Sequence, residues 1–162
     1  MAILEVCAGS LASARAAAQG GAARIELCAS LEKDGLTPDI ETIKEARKIP
    51  GLRLHVLIRS REGNFVYTED EILLMERQIR EARELGVDGV VFGALTPEGE
   101  VDINACRRLA LAANPEGCPQ KIHTTFHRAF DKAADPLKAL EDIISLGCDR
   151  ILTSGQKPSA QE

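Results

Sequence analysis

The sequence has few aromatic residues and contains no tryptophan. Phe, Tyr and Trp together make up 3% of the 162 residues, whereas hydrophobic residues as a whole make up 44%. A chain of this length can bury a substantial core. That core must therefore be built from aliphatic side chains, which suit the packing of helices on a sheet within an ordinary globular domain.

The chain also lacks the features that direct a protein to nucleic acid or into a membrane. Its net charge is −5, and no stretch is rich in Lys or Arg, although a phosphate backbone requires positive charge. No segment approaches the roughly 18 apolar residues of a membrane span. The N-terminus has no basic region, and Glu5 interrupts its apolar run, so no export signal is predicted. We expect a cytoplasmic protein with no nucleic-acid partner and no membrane partner.

The five cysteines form no Cys-x-x-Cys pair, and such pairs are typical of structural zinc sites with four ligands. An odd number of cysteines in the reducing cytosol favours free thiols over a disulfide framework. Cys106, Cys118 and Cys148 fall on a predicted helix, a loop and a turn, where packing or incidental positions are expected.

Short β-branched runs alternate with amphipathic helical segments along the whole chain, which predicts a parallel α/β sheet. Helix starts are indicated at Thr37-Pro38, at Asp135-Pro136 and at the capping box that begins at Thr68. The predicted strands are Ile3–Cys7, Arg24–Cys28, Arg53–Arg59, Gly89–Phe92, Ile122–His127 and Arg150–Thr153.

Cys7-Ala8-Gly9-Ser10 stands after the first strand, where a dinucleotide-binding fold would carry Gly-x-Gly-x-x-Gly. Polar residues end several different strands, as in a TIM-type (β/α)₈ barrel. Such a barrel has eight units and about 250 residues, whereas six units are recognisable here. Residues 1–162 are thus interpreted as a single partial barrel domain that lacks the two C-terminal units.

Cys7 and Cys28 end the first two strands and are predicted to face each other at the mouth of the barrel. Two soft thiolates suit Cu(I), which accepts few ligands. The alternative is that both are small buried hydrophobic residues, as free cysteines often are. If the last inward residues lie at similar heights, Arg59 and His127 share the mouth with them.

A second set of residues supports a different hypothesis, a barrel enzyme acting on a small anionic metabolite. Charged side chains inside apolar strands form either ion pairs, for which Arg59 is the expected partner of the two glutamates, or an acid/base pair. A lyase, isomerase or hydrolase step is compatible with the residues. The candidate catalytic residues are Glu5, Glu26, Arg59, His127 and Arg128.

Several segments, spread from one end of the chain to the other, form a specific set. They include Leu4–Cys7, 21–28, Gly35–Pro38, 58–59, Phe65–Tyr67, 125–131 and Leu152–Gly155. Taken together and in this order, they resemble the CutC copper-homeostasis family. The resemblance implies a TIM-barrel-like fold, a cytoplasmic homo-oligomer and a role in copper handling, with Cys7 and Cys28 at the cysteines proposed to hold Cu(I).

The resemblance is incomplete after the third strand, where the family usually reads Arg-Pro-Arg-Gly-Gly-Asp-Phe. Ser60, Glu62 and Asn64 replace the proline, the first glycine and the aspartate, so any family role of this loop is not carried over. Two functions remain open, a Cu(I)-binding protein without turnover and the barrel enzyme. A third hypothesis is an inactive partial barrel that is stable only by self-association.

Overall fold

Six parallel strands form one curved sheet in sequential order in the computed structural model, which describes residues 2–160. The ends of the predicted domain, residue 1 and residues 161–162, lie outside the described part. The strands are β1 (Glu5–Ala8), β2 (Arg24–Leu27), β3 (Arg53–Leu57), β4 (Gly89–Phe92), β5 (His123–Phe126) and β6 (Arg150–Ile151). The sequential order of parallel strands confirms the predicted TIM-type α/β fold, present here as a curled half-barrel.

Five α-helices connect the strands, and their starts show where local sequence determines structure. Thr68 caps its helix in the predicted capping box with Glu71, and Asp135 caps another directly before Pro136. No helix within residues 2–160 is long and apolar enough to cross a membrane. The helices are α1 (Leu11–Gln19), α2 (Ile40–Arg47), α3 (Glu69–Glu84), α4 (Ile103–Ala113) and α5 (Pro136–Ser145), and short 3₁₀ helices cover Leu31–Lys33 and Arg128–Lys132.

The predicted start of α2 at Thr37-Pro38 is wrong, because Asp39 is the capping residue. Thr37 is occupied elsewhere: its hydroxyl accepts a hydrogen bond from the Arg59 N–H at 2.8 Å. β3 ends at Leu57 rather than at Arg59 as predicted, and the backbone N–H and carbonyl oxygen of Arg59 bond to Thr37.

Helices cover one face of the sheet, and the main core lies between these two layers. Ile25, Leu54 and Phe92 on the strands and Ile79 and Leu109 on the helices are almost completely buried there. A separate small cluster of Cys28, Leu57 and Val91 lies on the inner face of the sheet, where alternate side chains of parallel strands point inward. The inner face therefore carries the residues expected to do chemistry.

Candidate functional site

Cys7 and Cys28 lie together on the inner face of β1 and at the end of β2. Their Sγ atoms are 3.8 Å apart. Cys28 is 1% exposed, whereas Cys7 is exposed to solvent. One sulfur is thus fixed by the core while the other is accessible from outside.

The two cysteines are not level in the sheet, contrary to the expectation of similar heights. Cys7 pairs in register with Glu26, so Cys28 is one inward position further along β2. The Cys28 N–H donates to the Ala8 carbonyl at 2.9 Å, which continues the β1–β2 ladder and fixes the position of the Cys28 backbone. The thiols therefore meet diagonally across the two strands.

The thiol pair shares its protons unequally. The hydrogen bond from Cys7 lowers the pKa of the Cys28 thiol. The same hydrogen bond, followed by burial and by the charges of Cys28 and Glu5, raises the pKa of Cys7 far above its usual range. The pair therefore loses its first proton more readily than its second, and a bound cation favours loss of both.

The two glutamates of the inner face have different roles. Glu5 forms an ion pair with Arg24 of the adjacent strand, not with Arg59 as expected. Glu26 has no hydrogen-bond or ion-pair partner among the described residues, and it is 6% exposed. Burial, followed by the charges of Cys7 and Glu5, raises the pKa of Glu26 to about 8, so this carboxyl is mostly protonated at neutral pH.

Arg59 is buried, and its guanidinium holds loops in place and forms no ion pair with an acidic group within residues 2–160. Its Nη1 donates to the carbonyl oxygens of Lys33 and Gly35, at 2.9 and 3.1 Å, and its Nη2 donates to Gly63 at 2.8 Å. The guanidinium carbon lies 5.2 Å from the centroid of the Phe65 ring. Arg59 thus joins the loops that follow β2 and β3.

His127 follows β5 and packs on Phe65, with its ring centroid 4.9 Å from that of Phe65. The Ala129 N–H donates to Nδ1 at 3.1 Å, so the neutral ring carries its proton on Nε2, which is buried and has no hydrogen-bond partner among the described residues. Burial, followed by the positive charge of Arg59, lowers the pKa of His127 to about 3. The imidazole is therefore neutral at physiological pH.

Arg128 belongs to a separate network at the ends of β5 and β6. Its Nε donates to Asp131 at 2.9 Å, and its Nη2 donates to the Ser154 hydroxyl at 2.6 Å. Burial alone would raise the pKa of Asp131, but hydrogen bonds from Thr153, Arg128 and two backbone N–H groups lower it. This network links the 3₁₀ helix after β5 to the loop after β6.

The structure therefore brings Cys7 and Cys28 together and divides the five candidate catalytic residues. Glu5 is paired with Arg24, Glu26 lies beside Cys7, Arg59 and His127 share Phe65, and Arg128 contacts the loop after β6. No hydrogen bond or ion pair among the described residues joins these groups to one another. Sequence reasoning treated Phe65 only as part of a loop and missed it as the ring between Arg59 and His127. Its place in the loop after a strand end was the available signal.

Proteins similar in sequence to this chain belong to one family. A CutC family protein from Chromobacterium violaceum is 48% identical over 160 residues, covering 99% of this chain and 62% of the relative. One from Bacteroides thetaiotaomicron is 50% identical over 158 residues, covering 97% and 61%. The chain thus spans about three fifths of the length of these relatives.

A solved structure with a similar fold belongs to the same family. A crystal structure of CutC from Streptococcus agalactiae, described as a candidate copper homeostasis protein, superposes with a TM-score of 0.88 at 34% identity. The match covers 98% of this chain and 75% of that one. A 2,3-dimethylmalate lyase superposes with a TM-score of 0.62 at 12% identity, covering 94% and 57%, which shows a shared fold alone. The sequence model of the CutC family matches residues 2–162, and this chain belongs to the CutC family.

Proposed function

We propose that this protein serves copper homeostasis by binding Cu(I) between Cys7 and Cys28, without catalytic turnover. The supporting observation is the 3.8 Å separation of the two Sγ atoms. Metal–thiolate bonds of about 2.3 Å, as found for zinc, let one ion reach two sulfurs up to about 4.6 Å apart. Soft thiolate ligands select Cu(I) among the available metals.

The strand register favours a bound metal over a disulfide. Cys7 is opposite Glu26, and Cys28 lies two residues beyond Glu26. Neighbouring strands about 4.8 Å apart and two residues of about 3.3 Å each separate the Cα atoms by about 8 Å. Disulfides rarely bridge more than about 7 Å without backbone movement. The pair is therefore suited to remain two thiols.

The ligand set also favours a metal that accepts low coordination. Within residues 2–160, no group of three or more His, Cys, Asp or Glu side chains is placed to hold one ion. A structural zinc site uses four ligands, whereas Cu(I) can be held by two thiolates. Two ligands also suit cargo, because the exposed Cys7 can be approached by an incoming thiol donor.

Electrostatics around the pair support binding of a monovalent cation. Binding releases the protons of both thiols and leaves two negative charges beside the ion. Glu26 adds little charge at neutral pH, because its pKa is raised to about 8. The bound site would thus carry a net charge near −1 in a partly buried position.

The wider setting of this function is part of the proposal. Cytoplasmic location is supported by the free state of all five cysteines, which persists in a reducing compartment. Assembly as a homo-oligomer rests on the family resemblance. The interpretation of residues 1–162 as one partial barrel domain, six units of eight, is supported by the six sequential strands and by the greater length of the relatives.

The test is an anaerobic titration of Cu(I) into the reduced protein against a chromogenic chelator. We expect one Cu(I) per chain, and loss of this binding in Cys7→Ser/Cys28→Ser. The matched control is Cys118→Ser/Cys148→Ser, which removes two partly exposed thiols elsewhere and should bind like the parent. Equal affinity in the parent and in the Cys7/Cys28 variant would refute the proposal.

A further inference from the structure

A second concave site lies at the opposite end of the sheet from the cysteines. It is a cleft of about 400 Å³ beneath the N-terminal ends of β3, β4 and β5. This volume falls in the range of small-molecule sites, about 300 to 1,000 Å³. We call this site the basal cleft. Its charged and titratable lining residues are Arg47, Arg53, Arg83, Asp88, Lys121 and His123.

The basal cleft is positive although the protein is acidic. Four cationic side chains and one carboxylate line it, leaving an excess of three positive charges without counting His123, whereas the whole chain carries −5. The carboxylate is already occupied, because Asp88 accepts a hydrogen bond from the Leu54 N–H at 2.8 Å and lies 3.4 Å from Arg47 Nη1. Like charges gathered against the overall charge of a protein concentrate counter-ions at that place.

Several cationic groups of the cleft have no acidic partner. The side chains of Arg53 and Lys121 form no hydrogen bond or ion pair with any described residue. Arg83 donates to the carbonyl oxygens of Ala113 and Gln120, at 2.7 and 2.8 Å, but contacts no described carboxylate. The cleft thus contains at least two free cationic donors and a third cation that is held in place but not neutralised.

One lining residue, His123, connects the cleft to the interior of the half-barrel. His123 lines the cleft and stacks on His55, with the ring centroids 5.9 Å apart. His55 is fully buried, and within residues 2–160 neither of its ring nitrogens has a hydrogen-bond partner, nor does the buried Nη1 of Arg150. Burial, followed by the charges of Arg24 and Arg150, lowers the pKa of His55 to about 3. Arg24 and Arg150 thus act on His55 from the inner face, where Arg24 is paired with Glu5, and His123 Nδ1 lies 3.6 Å from Asp149.

We propose that the basal cleft binds a small, multiply charged phosphate compound. Guanidinium and ammonium groups are the usual ligands of phosphate oxygens, and an excess of three charges matches an anion with two or three. The lining includes no Phe, Tyr or Trp, so charge is the main basis of recognition proposed for this site. This site is remote from the Cys7/Cys28 pair and does not depend on the copper proposal.

The probe is pyrophosphate, added to the full 162-residue protein at an ionic strength of about 0.15 M to screen weak surface attraction. Isothermal titration calorimetry measures affinity and stoichiometry. Proton NMR of the imidazole C2–H signals reports position, because the chain has three histidines and only His123 lines the cleft. We expect a saturable 1:1 isotherm, a shift of the His123 signal and no shift of the His127 signal.

The decisive variant is Arg53→Gln/Lys121→Gln, which removes the two free cations and should weaken binding on the order of tenfold for each lost contact. The matched control is Arg15→Gln/Arg77→Gln, which changes the net charge equally at exposed helical positions outside the cleft and should bind like the parent. Absence of saturable binding, equal weakening by both pairs of substitutions, or an unmoved His123 signal would overturn the proposal. If the double variant is unstable, the two single variants serve the same comparison.

Discussion

Replacing His127 by asparagine tests whether a buried neutral histidine makes the protein acid-sensitive. His127 is 4% exposed, and burial together with Arg59 lowers its pKa from 6.5 to about 3. Because the folded-state pKa is depressed, the unfolded chain takes up the proton first as the pH falls. The effect on stability is absent above about pH 6.5, grows as the pH drops and saturates below about pH 3.

The size of the effect follows from the pKa difference. Each pH unit between the two pKa values costs about 1.4 kcal/mol of unfolding free energy. At pH 4.5 the loss from His127 is therefore about 3 kcal/mol relative to pH 7. Asparagine does not titrate, and its carboxamide oxygen can accept the Ala129 N–H bond that Nδ1 now accepts at 3.1 Å. His127→Asn should thus have a free energy of unfolding that falls by about 3 kcal/mol less over this pH interval.

The assay is urea unfolding followed by far-ultraviolet circular dichroism at both pH values, since the chain has no tryptophan to report by fluorescence. Ile79→Val is the control, because it removes a methyl group from a fully buried side chain and costs about 1 kcal/mol at either pH. The control should keep the full acid sensitivity of the parent. An equal loss of stability in parent and His127→Asn would show that His127 is protonated in the folded protein and would refute the reasoning.

Two further substitutions test the packing of the inner face and the local determinants of the helices. Gly89→Ala would place a Cβ 2.7 Å from Cε1 of His55 and 2.9 Å from the His123 carbonyl oxygen. We therefore expect the free energy of unfolding in urea to fall by about 1 to 3 kcal/mol. A parent-like value would contradict the close packing of His55 on β4. Thr68→Ala removes the hydroxyl that accepts the Glu71 N–H bond at the start of α3, which should lower the free energy of unfolding by about 1 kcal/mol. The control Thr96→Ala, outside any helix cap, should lower it by less. A larger loss in Thr96→Ala than in Thr68→Ala would contradict the capping assignment.

The alternation of elements could be predicted because its determinants are local. Thr68 with Glu71, and Asp135 with Pro136, start helices in the structure as they do in the sequence pattern. The β4 strand covers Gly89–Phe92 as predicted. Capping and hydrophobic periodicity depend on residues within one or two turns, so the sequence alone determines them.

Elements were predicted less well where a distant residue intervenes. Thr37 was expected to cap α2, but it bonds to Arg59, 22 residues further along the chain. Asp39 caps α2 instead, and β3 ends at Leu57, two residues before Arg59. A side-chain hydrogen bond between distant segments competes with a local capping pattern and forms only after folding has brought the two segments together.

The proximity of the two cysteines followed from the adjacency of the first two strands, but their arrangement did not. Only the register places Cys7 opposite Glu26 and makes its contact with Cys28 diagonal. The partner of Glu5 was also beyond the sequence, since Arg24 rather than Arg59 is its neighbour in the sheet. The metal-binding role of the pair remains a prediction.

The basal cleft shows most clearly what tertiary structure alone decides. Its cations come from α2, β3, α3 and the turn before β5, and no local pattern in the sequence groups them. Reasoning from the chain directed attention to the C-terminal strand ends, where barrel enzymes keep their sites. The sequence by itself determined the α/β alternation, the aliphatic core and the candidate thiols, because these depend on composition and short-range order. Which charges face one another depends on the distances between segments far apart in the chain, and only the folded structure sets those distances.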